Sequence, residues 1–339
     1  MYFPTEYKVL KLQKYEYGEY SIVPIRYEDR WDIMKWRNEQ IFHLRQEKEL
    51  KVEDQENYFH NVIPPLFSAE KPDQILFSFL KNDACMGYGG MVHINWKDRH
   101  AEVSFLMNTQ LEKEYFESFW SIFLQLLEKV AFEDCGLRKL FTYAFDIRPI
   151  LYPVIEKSGF IQEAVLKDHC WIERQWKDVV IHSKINYDII IRKAGKDDMM
   201  LIFEWANDVH TRKNSFQPRQ ITLQEHTEWF TKRNHQTENK DFIALVDGLE
   251  AAYIRFDVVQ KHEVISINLN PSCRGKNLAT KLLINVLKAH IRNKEIWAYI
   301  KPSNTASIKV FERAGFVFDE ETLFRDQEAR IYKMKTNVT

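Results

Sequence analysis

Between Glu263 and Leu283 the chain reads as a strand, then Asn270-Pro271-Ser272-Cys273-Arg274-Gly275-Lys276-Asn277, then a helix opening at Leu278 to Thr280. That succession aims consecutive backbone N–H groups and a helix N-terminus at one point, a geometry suited to a pyrophosphate. Gly275 turns freely, and Asn277 tolerates left-handed backbone geometry better than other non-glycine residues. Two side chains are candidates for moving a proton: Glu263, at the start of the strand, and His226, whose neutral imidazole accepts one near pH 7. Each has a plain alternative, Glu263 as a strand-end carboxylate paired with Lys261 and His226 as a helix-surface residue. Asn304 is either a ligand-facing amide or a helix N-cap.

The elements that must position these groups are written twice. Trp36-Arg37-Asn38-Glu39, Arg45 and Asn57-Tyr58-Phe59 recur as Trp205-Ala206-Asn207-Asp208, Arg212 and Glu228-Trp229-Phe230. Each set follows a strand-like run (20–26; 187–192) and sits on apolar residues at helical spacing. Strand-like runs come next, 75–79, 91–96 and 102–107 in the first copy, 242–246, 251–256 and 264–268 in the second. A helical stretch (115–132; 279–292) and a strand (139–144; 295–300) precede a short helix closing on Gly159-Phe160 or Gly315-Phe316, where glycine suits the left-handed helix end. The spacing predicts the order β-α-α-β-β-β-α-β-α-β twice, an α/β (α+β) mixed-sheet fold in two tandem domains, 1–187 and 188–339. Gly87-Tyr88-Gly89-Gly90 opens into an alternating run rather than a helix, so it reads as a turn or bulge and not as a dinucleotide fingerprint.

These residues resemble the GNAT acyltransferase superfamily. Arg274 and Ala279 match the first and last positions of its acyl-CoA signature, Arg/Gln-x-x-Gly-x-Gly/Ala, with Asn277 in place of the middle glycine. Asn304 to Phe316 resembles its Asn-x-x-(Ala/Ser)-x-x-x-(Tyr/Phe)-x-x-x-Gly-Phe segment. The resemblance covers 188–339 well and, through the repeat, 20–187 more loosely. It implies a mostly antiparallel central sheet with flanking helices, splayed between its fourth and fifth strands, and acetyl-CoA as co-substrate in the gap. It sets the pyrophosphate on the backbone N–H groups of Gly275 to Ala279, with Arg274, Lys276, Asn277, Leu278, Ser307 and Phe311 beside the cofactor and Asn304 at the CoA arm or thioester. It implies acyl transfer to an amine, with Glu263 or His226 as base and a backbone N–H near Asn268 or Leu269 for the oxyanion. Phe311 stands where the family often has a tyrosine acid, which leaves that role to water, Tyr299, Ser307 or no group.

Trp205 to Phe216 and His226-x-x-Trp229-Phe230 look like the nucleotide-amino-sugar N-acetyltransferases of the pseudaminic acid pathway. That resemblance implies a small-molecule acceptor, the amine of a nucleotide-linked deoxy amino sugar, with Arg212 on a phosphate and Trp229 or Phe230 packed on a pyranose or base. The alternatives are a protein or peptide N-acetyltransferase and a non-catalytic CoA-binding scaffold. Aligning Asn108 with Asn270 sets Glu112 opposite Arg274 and Glu117 opposite Ala279, and Arg148 stands opposite Asn304 further along the repeat. A loop with Glu112, Glu114, Glu117 and no glycine repels a pyrophosphate, so the first domain is expected to keep the layout without that loop. With 48 Lys+Arg against 49 Asp+Glu there is no field for holding nucleic acid or an anionic membrane. Four scattered cysteines form no CxxC, no metal site is expected, and no run reaches the ~18 apolar residues of a membrane span. The expectation is a cytoplasmic, reduced enzyme.

Overall fold

The computed structural model describes residues 3–234, 240–259, 261–290 and 295–335, and its contacts divide it into two units, Met1–Asn186 and Tyr187–Thr339. In the first, β1 (Tyr15–Tyr17) and β2 (Tyr20–Pro24) lead to α1 (Arg30–Glu39), α2 (Val52–Asn57) and α3 (Ile63–Ser68). Then come β3 (Ile75–Lys81), β4 (Ala84–Asn95), β5 (His100–Met107), α4 (Glu112–Glu128), β6 (Lys139–Phe145), α5 (Leu151–Lys157), β7 (Ile161–Ile172) and β8 (Gln175–Ile185). The strands form one sheet in the order β1-β2-β3-β4-β5-β6-β8-β7.

The second unit runs β9 (Ile189–Lys193), α6 (Met199–Asn207), α7 (Val209–Asn214), α8 (Leu223–Asn234), β10 (Lys240–Val246), β11 (Leu249–Val259) and β12 (His262–Leu269). It continues through α9 (Leu278–His290), β13 (Glu295–Ile300), α10 (Thr305–Arg313), β14 (Val317–Phe324) and β15 (Gln327–Lys335). Its sheet order is β14-β15-β13-β12-β11-β10-β9. Helix α9 turns Leu278, Leu282, Leu283, Val286 and Leu287 onto the sheet at helical spacing. Each such burial contributes about 1.5–3 kcal/mol.

Both sheets are antiparallel except at one place. Strands β5 and β6 run parallel and pair only from His100↔Lys139 to Glu102↔Phe141. Strands β12 and β13 pair only at Glu263↔Ile296 and Val264↔Trp297. Beyond those pairs the strands continue without bonding to each other, so each sheet opens into a wedge at its strand C-termini.

The same side chains fix the first helices of both units. Asn38 donates from Nδ2 to Leu50 O at 2.9 Å and accepts from Leu50 N at 2.8 Å, and Asn207 makes the same two bonds to Ile221 at 2.9 and 2.8 Å. This clasp explains the repeated Trp-x-Asn, since Trp36 and Trp205, two residues back, are both buried. Both short helices end on a left-handed glycine, Gly159 at φ 88° and Gly315 at φ 96°, with Phe160 N bonding Ile155 O and Phe316 N bonding Phe311 O.

Two expectations need correction. The last strand of each copy is a two-stranded hairpin, β7 with β8 and β14 with β15. Helix α4 begins at Glu112, earlier than spacing indicates. The end expected at Arg292 lies outside the described residues. The Gly87 to Gly90 run lies inside β4 beside a bulge, in keeping with its reading as a bulge and not a dinucleotide fingerprint, and a Cβ on Gly89 would stand 2.1 Å from Ser104 O on the neighbouring strand. No described helix is long and apolar enough to cross a membrane, and no group of three or more metal-ligating side chains occurs among the described residues.

Candidate active site

At the mouth of the second wedge, Asn270 accepts from Ser272 N and starts a single 3-10 turn. Residues 274–277 then form a loop before α9, with Gly275 at φ 74° and Asn277 at φ 53°. Two left-handed residues separated by one put successive N–H groups on one side of the chain. Residues 275–277 are exposed, whereas Leu278 and Ala279 turn their side chains into the core. A Cβ on Gly275 would meet nothing within 4 Å, so its glycine is needed for φ and leaves room in front of the backbone.

Arg274 does not face that space. Its Nη2 lies 2.6 Å from Asp208 Oδ1 and donates to Thr211 Oγ1 at 3.0 Å. Thr211 in turn donates to Asn268 Oδ1 at 3.1 Å, and Asp208 caps α7 through Thr211 N. The hydrogen bond from Arg274 is the leading reason that Asp208 titrates below its ordinary value. Arg274 thus ties the loop to α7 and β12. Asn268 also differs from expectation: Asn270 N bonds Ala251 O on β11, and an antiparallel ladder alternates, so the Asn268 N–H points to β11 as well. The N–H groups of Ile267 and Leu269 point into the wedge.

Residues 22–181 match one acetyltransferase (GNAT) domain profile and residues 188–317 a second. The chain belongs to the GNAT acetyltransferase family. It is an acetyl-CoA-dependent N-acyltransferase with two GNAT domains in tandem. No curated protein matches it. Among solved structures it is similar to the spermidine N-acetyltransferase of Vibrio cholerae in complex with CoA and spermine, at 15% identity over 50% of this chain and 96% of that one, TM-score 0.42. A dodecameric form of the Vibrio cholerae protein gives 17% identity, 50% and 95% coverage and TM-score 0.41. An uncharacterised protein from Bacillus halodurans gives 17%, 44% and 85%, and 0.39.

The remaining residues of this GNAT chain divide by face. Alternation along β12 puts Glu263 on the α9 face with Ile265, and Ser266 and Asn268 on the α7 face. The Glu263 carboxylate is held by Lys240 Nζ at 2.8 and 3.0 Å, not by Lys261, at the end of the wedge where the strands are still paired. His226 is neither a surface residue nor an accessible base: it is 2% exposed, and its Nε2 meets Met199 O at 2.9 Å. Burial holds its pKa below the ordinary value. Gln55 does the same work in the first unit, donating to Arg30 O at 2.6 Å. Phe230 is core, and partly buried Trp229 carries Arg233 and Arg255 over its ring at 5.7 and 5.5 Å. Phe311, 4% exposed, packs edge-on to Phe316. Asn304 accepts from Ser307 N at 3.2 Å as the α10 N-cap, while its Nδ2 makes no hydrogen bond among the described residues. Arg212 donates to Gln217 O and Arg219 O, and no described carboxylate pairs with it.

Sequence reasoning missed an aromatic wall on the α7 face of β13 to β15. Tyr299 stacks on Phe324 at 4.3 Å, and Phe324 meets Phe216 at 5.0 Å. Gln327 Nε2 also donates to Phe216 O at 2.5 Å, fastening the α7–α8 loop to β15. Scattered single aromatics carry no periodic signal. In the first unit Asn108 starts the same 3-10 turn, but α4 follows at once, so N–H groups matching the second unit's helix start are bonded inside α4. Arg148 donates to Glu112 Oε1 there and to His43 Nε2 at 2.6 Å. Burial, and then Arg148, lower His43 to about 3.

Proposed function

We propose that the second unit alone performs the transfer, with acetyl-CoA between β12 and β13 and its pyrophosphate on the N–H groups of Gly275 to Ala279. The single observation that carries this is the exposed pair of left-handed residues, Gly275 and Asn277, at the mouth of a wedge whose strands are unpaired. In this reading Ile267 or Leu269 N–H receives the acetyl oxygen as it gains charge. The free Nδ2 of Asn304 and the Ser307 side chain border the CoA arm, and Lys276 stands at the loop rim. The amine attacks the thioester carbon, the C–S bond breaks with its electron pair on sulfur, and the proton lost by the amine passes through water to the departing CoA thiolate, because His226 is buried and Glu263 lies on the opposite face. The first unit keeps the layout without a pyrophosphate loop.

The acceptor in this proposal is a small amine, a nucleotide-linked deoxy amino sugar, approaching from the α7 face. Arg212 supports an anion-bearing acceptor: burial first, then Arg255 and Arg219, keep its pKa below the usual arginine value, and a polycation would be repelled there. The test is thiol release from acetyl-CoA with UDP- and dTDP-linked amino sugars, spermidine, spermine and amino-terminal peptides. Highest turnover with a nucleotide-linked amino sugar is expected. Highest turnover with spermidine or peptide would replace the acceptor, and release with none would favour a CoA-binding scaffold.

A further inference from the structure

Tyr253 on β11 is 5% exposed, and its hydroxyl has no hydrogen-bond partner among the described residues. Buried polar groups in folded proteins are bonded in the great majority of cases, so this one calls for a partner. The first unit supplies the comparison. Tyr88 pairs with Leu106 across β4 and β5, as Tyr253 pairs with Asn268 across β11 and β12, and residues 106 and 268 are fixed as equivalents by the matching turns at Asn108 and Asn270. There Arg37 Nη1 donates to the Tyr88 hydroxyl at 2.6 Å. The Trp36/Trp205 and Asn38/Asn207 correspondences place Ala206 where Arg37 stands, so the second unit lacks the guanidinium that satisfies its tyrosine.

A second group on this face is also unsatisfied. Arg212 Nε is buried without a partner, and Arg212 follows Thr211, which bonds Asn268, the cross-strand neighbour of Tyr253. The other guanidiniums of this face face carboxylates: Arg233 meets Asp241 and Asp257, Arg255 meets Asp257, and Arg274 meets Asp208. The first unit again closes the matching position, where Arg45 binds Glu102 at 2.8 Å and lies 4.1 Å from the Tyr143 ring centroid.

We infer that the second unit receives its acceptor on the α7 face at Tyr253 beside Ala206, where ligand entry must displace the side chains packed there, and that Tyr253 and Arg212 select an amine that also carries an oxyanion, phosphate or carboxylate. This rests on the second unit being the transferase. The hydroxyl and the guanidinium Nε–H both donate to the oxyanion, which leaves the amine directed to the wedge.

The test uses the full chain with a UDP-linked amino sugar as the probe. Tyr253→Phe should raise the probe KM by about 3- to 10-fold, the worth of one neutral hydrogen bond, with acetyl-CoA Kd unchanged and Tm equal or higher, because the removed hydroxyl bonds nothing in the protein. Ala206→Arg, which copies the first unit, should raise that KM at least as far and also leave acetyl-CoA binding intact. Competition by glucosamine 6-phosphate but not glutamate assigns the oxyanion to a phosphate, and the reverse assigns it to a carboxylate. Unchanged probe KM in Tyr253→Phe, or competition by neither anion, overturns this acceptor site. Wild-type chain that binds no acetyl-CoA would instead sink the transferase reading on which it rests.

Discussion

Arg148 in the first unit and Asn304 in the second hold the same place ahead of a short helix. Arg148 is bonded to Glu112 and His43, whereas Asn304 caps α10 with its oxygen and keeps its amide N–H groups unbonded among the described residues. The same contrast recurs at Arg45, paired with Glu102, against Arg212, and at Tyr88, bonded by Arg37, against Tyr253. At these three positions the first unit supplies a partner from within, and the second leaves Asn304 Nδ2, Arg212 Nε and the Tyr253 hydroxyl without one among the described residues. Clasps, helix ends and wedge are otherwise shared, so the frame and the site are separable: one duplicated scaffold can lose ligand contacts without losing its fold, provided each lost contact is replaced by protein.

The largest expected effect is at the loop where the units differ most. Gly275→Val forces a β-branched residue to φ 74°, a strain of about 1–3 kcal/mol, and should weaken acetyl-CoA binding by roughly 5- to 150-fold in calorimetry. Unchanged affinity would mean the loop is not where the pyrophosphate sits. A smaller effect should be shared by the two units. Asn38→Ala and Asn207→Ala each remove two backbone bonds and should each cost about 1–3 kcal/mol in denaturant unfolding. A cost confined to one of them would break the structural equivalence of the clasps.

Next comes the carbonyl at the start of each unit's first helix, Arg30 O or Met199 O, which the units meet with different side chains. His226→Gln copies Gln55 and should keep kcat within about 3-fold, whereas loss of a general base costs roughly 100-fold or more. The pH dependence has a definite sign. Burial depresses the folded pKa of His226 below the unfolded value of 6.5, so its contribution is complete above that pH and is lost as pH falls from there through the folded pKa. His226→Gln should flatten this part of the melting profile between pH 7 and 5, and an identical slope in the variant would contradict it. Glu263→Gln should have the smallest effect on turnover, within about 3-fold. A deficit above 10-fold that shrinks as pH rises would restore Glu263 as the base, since a base is needed only while the amine arrives protonated.

Much of the frame was legible because repetition tests itself: Trp-x-Asn and Gly-Phe recur in order, and each turned out to have one local physical cause. The Arg274 to Ala279 loop was legible because glycine and asparagine advertise left-handed backbone. Side-chain partners were not. Nothing in the spacing says that Arg274 would turn to Asp208, that His226 would face Met199 O, or that Glu263 would meet Lys240 instead of Lys261, since those depend on which helix face packs down. Tyr253 was invisible for the same reason, its significance resting on the absence of a guanidinium that only the matched Arg37 reveals.

The asymmetry between the units is tested most directly by titrating the full chain with acetyl-CoA in a calorimeter. One site per chain is expected, eliminated or strongly weakened by Gly275→Val and unaffected by Glu112→Gln, because removing that carboxylate still leaves the N–H groups of Phe116 and Glu117, which match the start of α9, bonded within α4. Two equivalent sites, or a second site appearing in Glu112→Gln, would contradict it.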